Sequence, residues 1–173
     1  LKSDPIGLAG GETPYAYVQN PWDWLDPFGL AKCKKPGGYK NGDVDQHGLL
    51  SPGANRASGH HNIKPDDFIQ SHHPIQDAWA KRRINGYKRN KAPGILLPSS
   101  SGMSHANISL AQRLRRSANG GWNTTLRDEF NIGYREMLNA GVPTKQAQKA
   151  FKQAYKYFDS LRNQNLNNPF FNI

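Results

Sequence analysis

Cysteine is nearly absent. Cys33 is the only one in 173 residues, which excludes an internal disulfide and any thiolate-built metal cluster. No apolar run is long enough to span a bilayer. Acidic side chains are scarce, with 13 Asp and Glu against 23 Lys and Arg, so the formal net charge is +10. The scarcity is uneven. Residues 1–30 hold one basic side chain (Lys2) and four acidic ones (Asp4, Glu12, Asp23, Asp26), leaving −3 there and +13 on the remainder. A body that basic repels itself unless a polyanion binds it, and nucleic acid is the leading partner. The bland alternative is a generally basic surface. A membrane surface is disfavoured, because no basic amphipathic helix stands apart from the core-forming ones.

What the chain does have is a sharp internal boundary at Pro21–Leu30, PWDWLDPFGL. Before it, Asp-Pro, Gly-Gly and Asn-Pro turns separate short strand-like runs, as in a β-hairpin. Trp22, Trp24 and Phe28 crowd so much apolar surface together that this segment is expected to pack against a larger partner. The chain opens in mid-motif, as a piece of something longer does. Residues 31–58 are rich in Gly, Lys, Asn and Ser and are assigned to linker and irregular loop. Residues 59–173 form the domain proper, of a size to enclose one core. No internal repeat is visible.

Within that domain the periodicities are clear. Ile75–Ile84 is expected to be helical. Gly94–Leu97, between Pro93 and Pro98, is expected to be a strand. Ser104 is positioned to cap a helix running to Arg116. An apolar stripe at Leu126, Phe130, Tyr134, Met137 and Leu138 ends at Gly141-Val142-Pro143, a C-terminal stop. Thr144 is expected to cap the next helix, with Ala147, Ala150, Phe151, Ala154, Phe158 and Leu161 facing inward. The last two helices predict an antiparallel hairpin, and their aromatics serve packing. The Asn-rich tail from Asn163 to Ile173 is expected to fray. The fold class is α+β.

Two pairs of adjacent histidines stand out, His60-His61 and His72-His73, with a lone His105 opening a helix after the strand. Along an extended strand neighbouring side chains point to opposite sides, but at a strand end, where Pro74 turns the backbone, both can reach one cleft. One imidazole can then bind a metal while its neighbour acts as general base on a water. His105 is placed to be a second ligand. Few protein ligands leave positions open for water and a phosphate oxygen, as phosphodiester hydrolysis requires. Taken alone, such a pair is weak evidence, since most histidines are surface residues or satisfied core groups; the basic body adds to the metal-nuclease reading. His47 has no evident partner and is assigned to the surface. His60 and His61 could supply a further ligand, contact phosphate or be plain loop, the last two being favoured.

Residues 1–30 resemble the closing segment of the Rhs core. The matching residues are Asp4-Pro5-Ile6-Gly7-Leu8, Tyr15-x-Tyr17-Val18-x-Asn20-Pro21 and Asp26-Pro27-x-Gly29-Leu30, which complete the pattern PxxxxDPxGL. The resemblance implies a β-shell around a C-terminal toxin, with a short hairpin remnant of that shell here. It also implies self-cleavage after Leu30 by an aspartyl-protease-like site. Asp4 and Asp26 would be its paired carboxylates, one as acid and one as base. Without the rest of the shell, little self-cleavage is expected.

Residues Ser71–Gln112, SHHPIQDAWAKRRINGYKRNKAPGILLPSSSGMSHANISLAQ, resemble the SHH-signature toxins of the HNH/endonuclease VII superfamily. That resemblance implies a small ββα-metal core with additional helices, His72 as first metal ligand, His73 as general base and His105 as a ligand on the helix. Ser109 stands where colicin-type DNases carry a second helix histidine, which leaves Asn107, Gln112 or solvent as the third ligand. Gln76 could hydrogen-bond near the site. Arg82, Arg83, Lys88, Arg89, Arg113 and Arg116, with Lys81, Lys91 and Arg115 nearby, would contact phosphates with little sequence selectivity. The implied activity is a divalent-metal DNase (Mg, Mn, Zn or Ni). Its implied setting is contact-dependent, type VI delivery into a target-cell cytoplasm, with an acidic immunity protein as partner. The rivals are a metal-free ribonuclease or tRNase using the same histidines, and a non-catalytic basic nucleic-acid-binding domain.

Overall fold

The computed structural model describes residues 35–60, 69–118 and 120–173. The expectations placed on residues 1–34 (the hairpin remnant, Asp4, Asp26, the cut after Leu30) and on His61 lie outside the described residues. The strands and helices described all belong to the unit Gly37–Ile173.

Three antiparallel strands form its sheet, in the order β1-β3-β2: β1 is Val44–Gln46, β2 Ile69–His72 and β3 Pro93–Pro98. The central strand is buried on both faces and therefore apolar throughout. Its alternation sorts two cores. Ile95 and Leu97 join the larger one with Trp79, Ile108, Leu126, Met137 and Phe158, while Leu96 joins Tyr39, Leu50 and Ile69 behind the sheet. Register pairs His72 with Ile95 and Ser71 with Leu96. Paired residues share a face, so His72 and Ser71 leave β2 on opposite sides.

Among the described residues five α-helices complete the unit: α1 His47–Leu50, α2 Asp77–Arg83, α3 Ser104–Ser117, α4 Leu126–Asn139 and α5 Thr144–Asp159. The expected helices and strand are present. Strands β2 and β3 with α3 make the expected ββα unit, and α2 lies in the connection between the strands. Among the described residues no helix is long and apolar enough to cross a membrane.

Several expectations are corrected. Residues 37–58 are no linker, since they supply β1, α1 and a bridge between Tyr39 and Arg56. The buried Arg56 guanidinium donates to the carbonyls of Leu50, Ser51 and Ile69, fastening this segment to β2. Ser104 and Thr144 are first helical residues, not caps; Met103 and Pro143 precede them without side-chain cap bonds. The side-chain cap occurs at α4, where Thr125 and Asp128 form a capping box.

The tail does not fray. Its carbonyls at Phe170 and Asn172 accept the first-turn N–H groups of Leu126 and Arg127 at 2.7 and 2.9 Å, donors that a helix cannot satisfy internally. Asn165 is buried and bridges Asn85 and Leu161. The stop after α4 is as read. Gly141 takes φ +84°, and the Val142 N–H reaches the Met137 carbonyl at 3.2 Å, closing a Schellman turn.

Candidate active site

Strand β2 ends at His72, and the chain turns through His73-Pro74 into α2. This turn opens a cleft of about 270 Å³ lined by His47, Ser71, His72, His73, Gln76, Asp77, Ala78, Arg89, His105, Ser109 and Gln112. On α3, His105, Ser109, Gln112 and Arg116 follow one another at helical spacing and share the inward face. The structure thus brings His72, His73 and His105 together. The ring of His105 meets that of His72 edge-on, with centroids 5.2 Å apart.

His73 is 8% exposed, and its Nδ1 lies 3.1 Å from the Pro93 carbonyl. A carbonyl only accepts, so Nδ1 carries the proton and Nε2 keeps its lone pair. That Nε2 is buried and without a hydrogen-bond partner, as is Nε2 of His72. Burial holds the His73 ring below the ordinary histidine range, against the raising effect of the Pro93 bond and of Asp77. Burial, with His105 and His73 adding to it, pushes His72 down to about 3. His105 is lowered by burial as well. All three are neutral imidazoles at neutral pH, the form that coordinates metals and accepts protons.

Among the described residues no three His, Cys, Asp or Glu side chains gather as a metal cluster. The donors that do fit an ion are two neutral imidazoles, one with an orphaned buried nitrogen. Of the alternatives for a third ligand, Gln112 lines the cleft. Asn107 is exposed and donates to the Gly102 carbonyl at 2.8 Å, which takes it out of the site. His60 accepts from the Asn41 N–H at 3.0 Å and belongs to the loop it stabilises.

The histidine assigned to the surface is part of the site. His47 is 5% exposed, and its ring centroid lies 4.2 Å from that of His73 at 32°. Burial, followed by the neighbouring His73, lowers it to about 4. Its backbone N–H is held by the Ala92 carbonyl, a link between segments distant in sequence that no local pattern reveals.

The basic residues divide. Arg89 lines the cleft 3.9 Å from Asp77, which also binds Lys81 at 2.7 Å and accepts from Tyr87. Lys88 and Arg113 are exposed. Arg82 is exposed, with its guanidinium 4.3 Å from the Trp122 ring centroid. Arg83 is half-buried, bonded to the Trp122 carbonyl and stacked on Phe170. Arg116 is no surface phosphate contact. It is buried, with bonds to Gln76 (2.6 Å), Thr124, Gly121 and Glu129 (2.5 Å). Arg115 is likewise paired, with Glu129 and Glu136. A carboxyl group as buried as that of Glu129 is costly to bury unless paired and hydrogen-bonded in this way. Gln76, expected near the site, thus ties the turn after the paired histidines to α3.

Over 44 residues, 25% of this chain, the sequence is 58% identical to a probable deoxyribonuclease RhsA of Dickeya dadantii, covering 3% of that protein. It is 67% identical over 33 residues (19% of the chain, 2% of the relative) to a probable deoxyribonuclease RhsB of the same organism. Over 40 residues, 23% of the chain and 3% of the relative, it is 48% identical to a double-stranded DNA deaminase toxin A of Burkholderia cenocepacia. These matches span only a few per cent of the relatives' length. No solved structure matches. Residues 66–159, more than half of the chain, match the family described as an HNH/Endo VII superfamily toxin with a SHH signature. That stretch contains β2 with His72, the turn with His73, β3 and helix α3 with His105, and the chain belongs to this family of nuclease toxins.

Proposed function

We propose that the protein is a metal-dependent endonuclease that hydrolyses DNA phosphodiesters with little sequence selectivity. The observation that carries this reading is the unpartnered Nε2 of His73, fixed as a base by the bond from Nδ1 to Pro93. Nε2 takes a proton from water as that water attacks phosphorus, and Nδ1–H keeps the imidazolium anchored to the carbonyl. His72 and His105 would hold a divalent ion, with Gln112 or solvent completing its shell. A bound ion would supply Lewis acidity toward the phosphate and its leaving oxygen. Arg89 at the cleft and the exposed Lys88, Arg82 and Arg113 hold the backbone, which confers affinity without base reading.

The relatives named as deoxyribonucleases, together with the +13 body, support DNA as substrate. The resemblance of residues 1–30 to an Rhs core supports release after Leu30 with Asp4 and Asp26 as the cutting pair. It likewise supports contact-dependent delivery, by type VI secretion, to a target-cell cytoplasm, and neutralisation by an acidic immunity protein. The deciding experiment incubates plasmid and RNA separately with Mg, Mn, Ni or Zn, then with EDTA. Plasmid nicking that needs a metal and disappears in His73→Ala is expected. RNA cleavage that survives chelation would establish the ribonuclease instead, and no cleavage of either would leave a binding domain.

A further inference from the structure

His47 belongs to neither of the motifs that carry a family resemblance, yet its ring covers one face of His73. The His73 side chain has a single hydrogen bond, Nδ1 to Pro93. With the ring tethered at Cβ, one hydrogen bond at Nδ1 restrains its rotation about the Cβ–Cγ bond but still lets it rock as far as that bond can flex. The His47 ring, 4.2 Å away and tilted by 32°, blocks that rocking on one side.

His47 is itself held in three ways. Its N–H donates to the Ala92 carbonyl at 2.9 Å, its carbonyl accepts from Ser51 N–H at 2.8 Å, and its Nδ1 lies 2.9 Å from Ser71 Oγ. Ser71 leaves β2 on the face opposite His72, toward the side on which Gly94 of β3 carries no Cβ. A Cβ there would collide with Ser71 Oγ. The strand is thus open where the serine must reach the ring.

We infer that His47, held by Ser71, is a positioning residue for the base, and that the first residue of the Ser71-His72-His73 run acts through it. Ser71 is neither ligand nor nucleophile here. It sets the plane of the His47 ring, which sets the plane of His73 and so the direction of the Nε2 lone pair. This rests on His73 being the base.

The test is steady-state cleavage of a fluorophore–quencher DNA duplex by the folded chain, with thermal unfolding measured alongside. His47→Ala is expected to lower kcat about 10- to 100-fold, the scale of a misplaced catalytic group, with KM changed less than about twofold. His47→Phe, which keeps a flat ring but cannot bond Ser71, is expected to recover activity to about the level of Ser71→Ala. Ser71→Ala should lower kcat about three- to tenfold alone and less than about twofold in the His47→Ala background, since the two act as one unit. Independent, multiplying losses would overturn the inference. So would a His47→Ala effect confined to KM, which would make His47 a substrate contact, or full activity in that variant. Should His47→Ala not fold, Ser71→Ala and His47→Phe decide, with Ser71→Ala at wild-type kcat counting against it. An active His73→Ala would instead remove the base assignment; an inactive His73→Ala beside a fully active His47→Ala would remove only the positioning role.

Discussion

His47 and His73 hang from consecutive carbonyls at the entry to β3. Ala92 accepts the backbone N–H of His47 at 2.9 Å, and Pro93 lies 3.1 Å from Nδ1 of His73. Two segments far apart in sequence are thereby referenced to one rigid point, and a shift of that point moves both rings together.

Gly94, the next residue, should therefore tolerate little. Gly94→Ala forces Ser71 aside or strains β3, with an expected loss of about 1–3 kcal/mol from overpacking and a fall in kcat resembling that of Ser71→Ala. Denaturant unfolding and duplex cleavage on the same preparation check both. A stable variant of wild-type kcat would mean that Ser71 has room the structure does not show.

Stability should fall on mild acidification. His47 and His72 are lowered to about 4 and about 3 from an ordinary value of 6.5, mainly by burial. Above 6.5 neither the folded nor the unfolded chain binds these protons. Below it the unfolded chain takes them up first, so each histidine removes up to about 1.4 kcal/mol per pH unit until its folded value is reached. Melting temperatures measured in EDTA from pH 7 to pH 4 should drop steeply, and His47→Phe should show a shallower slope. Equal slopes would mean that His47 does not titrate as its burial dictates.

His105 should matter to ion binding and His73 much less. Calorimetric titration of the metal-free protein with divalent ions is expected to show affinity at least about tenfold weaker in His105→Ala, and within about threefold of wild type in His73→Ala. Equal affinity in His105→Ala would move the ion elsewhere.

Two arginines assigned one role by sequence should behave oppositely. Removing one partner from a buried, bonded ion pair costs about 3–5 kcal/mol, so Arg116→Ala should melt early. Arg89→Ala should leave unfolding within about 0.5 kcal/mol and reduce the salt dependence of DNA binding by about one phosphate contact. Fluorescence anisotropy across a salt series separates them.

The tail gives a further check. Deleting residues 169–173 strips the acceptors from Leu126 and Arg127 and is expected to cost about 1–3 kcal/mol per donor left buried and unpaired. An unchanged melting temperature would show that solvent replaces them freely.

How much was legible in the sequence depends on the kind of signal each element carries. Helices α2 to α5 repeat apolar residues with a regular period, β3 is a short apolar run between two prolines, and the order His72, His73, His105 pointed to the site. Strand β1 has three residues, too few for any period, and its Gly- and Lys-rich surroundings resemble a linker. His47 reaches the site by a contact 24 residues along the chain from Ser71, which composition cannot show. The Asn-rich tail has no apolar repeat because its side chains and carbonyls satisfy backbone ends. Arg116 was readable in principle: it shares the inward face of α3 with His105, and a charge on an inward face calls for a buried partner such as Glu129.

The connection from His73 to Ala92 leaves the sheet at the end of β2 and returns at the start of β3, bearing α2, Asp77 and Arg89 between two fixed anchors. Its backbone is fixed, because Trp79, Ala80 and Ile84 are buried in the larger core, but its exposed Lys81, Arg82, Lys88 and Arg89 can be recharged while Pro93 still holds His73 and α3 still presents His105. A single scaffold of this kind could be refitted to a different polyanion by exchanging those surface charges alone, with the proton-transfer apparatus left in place.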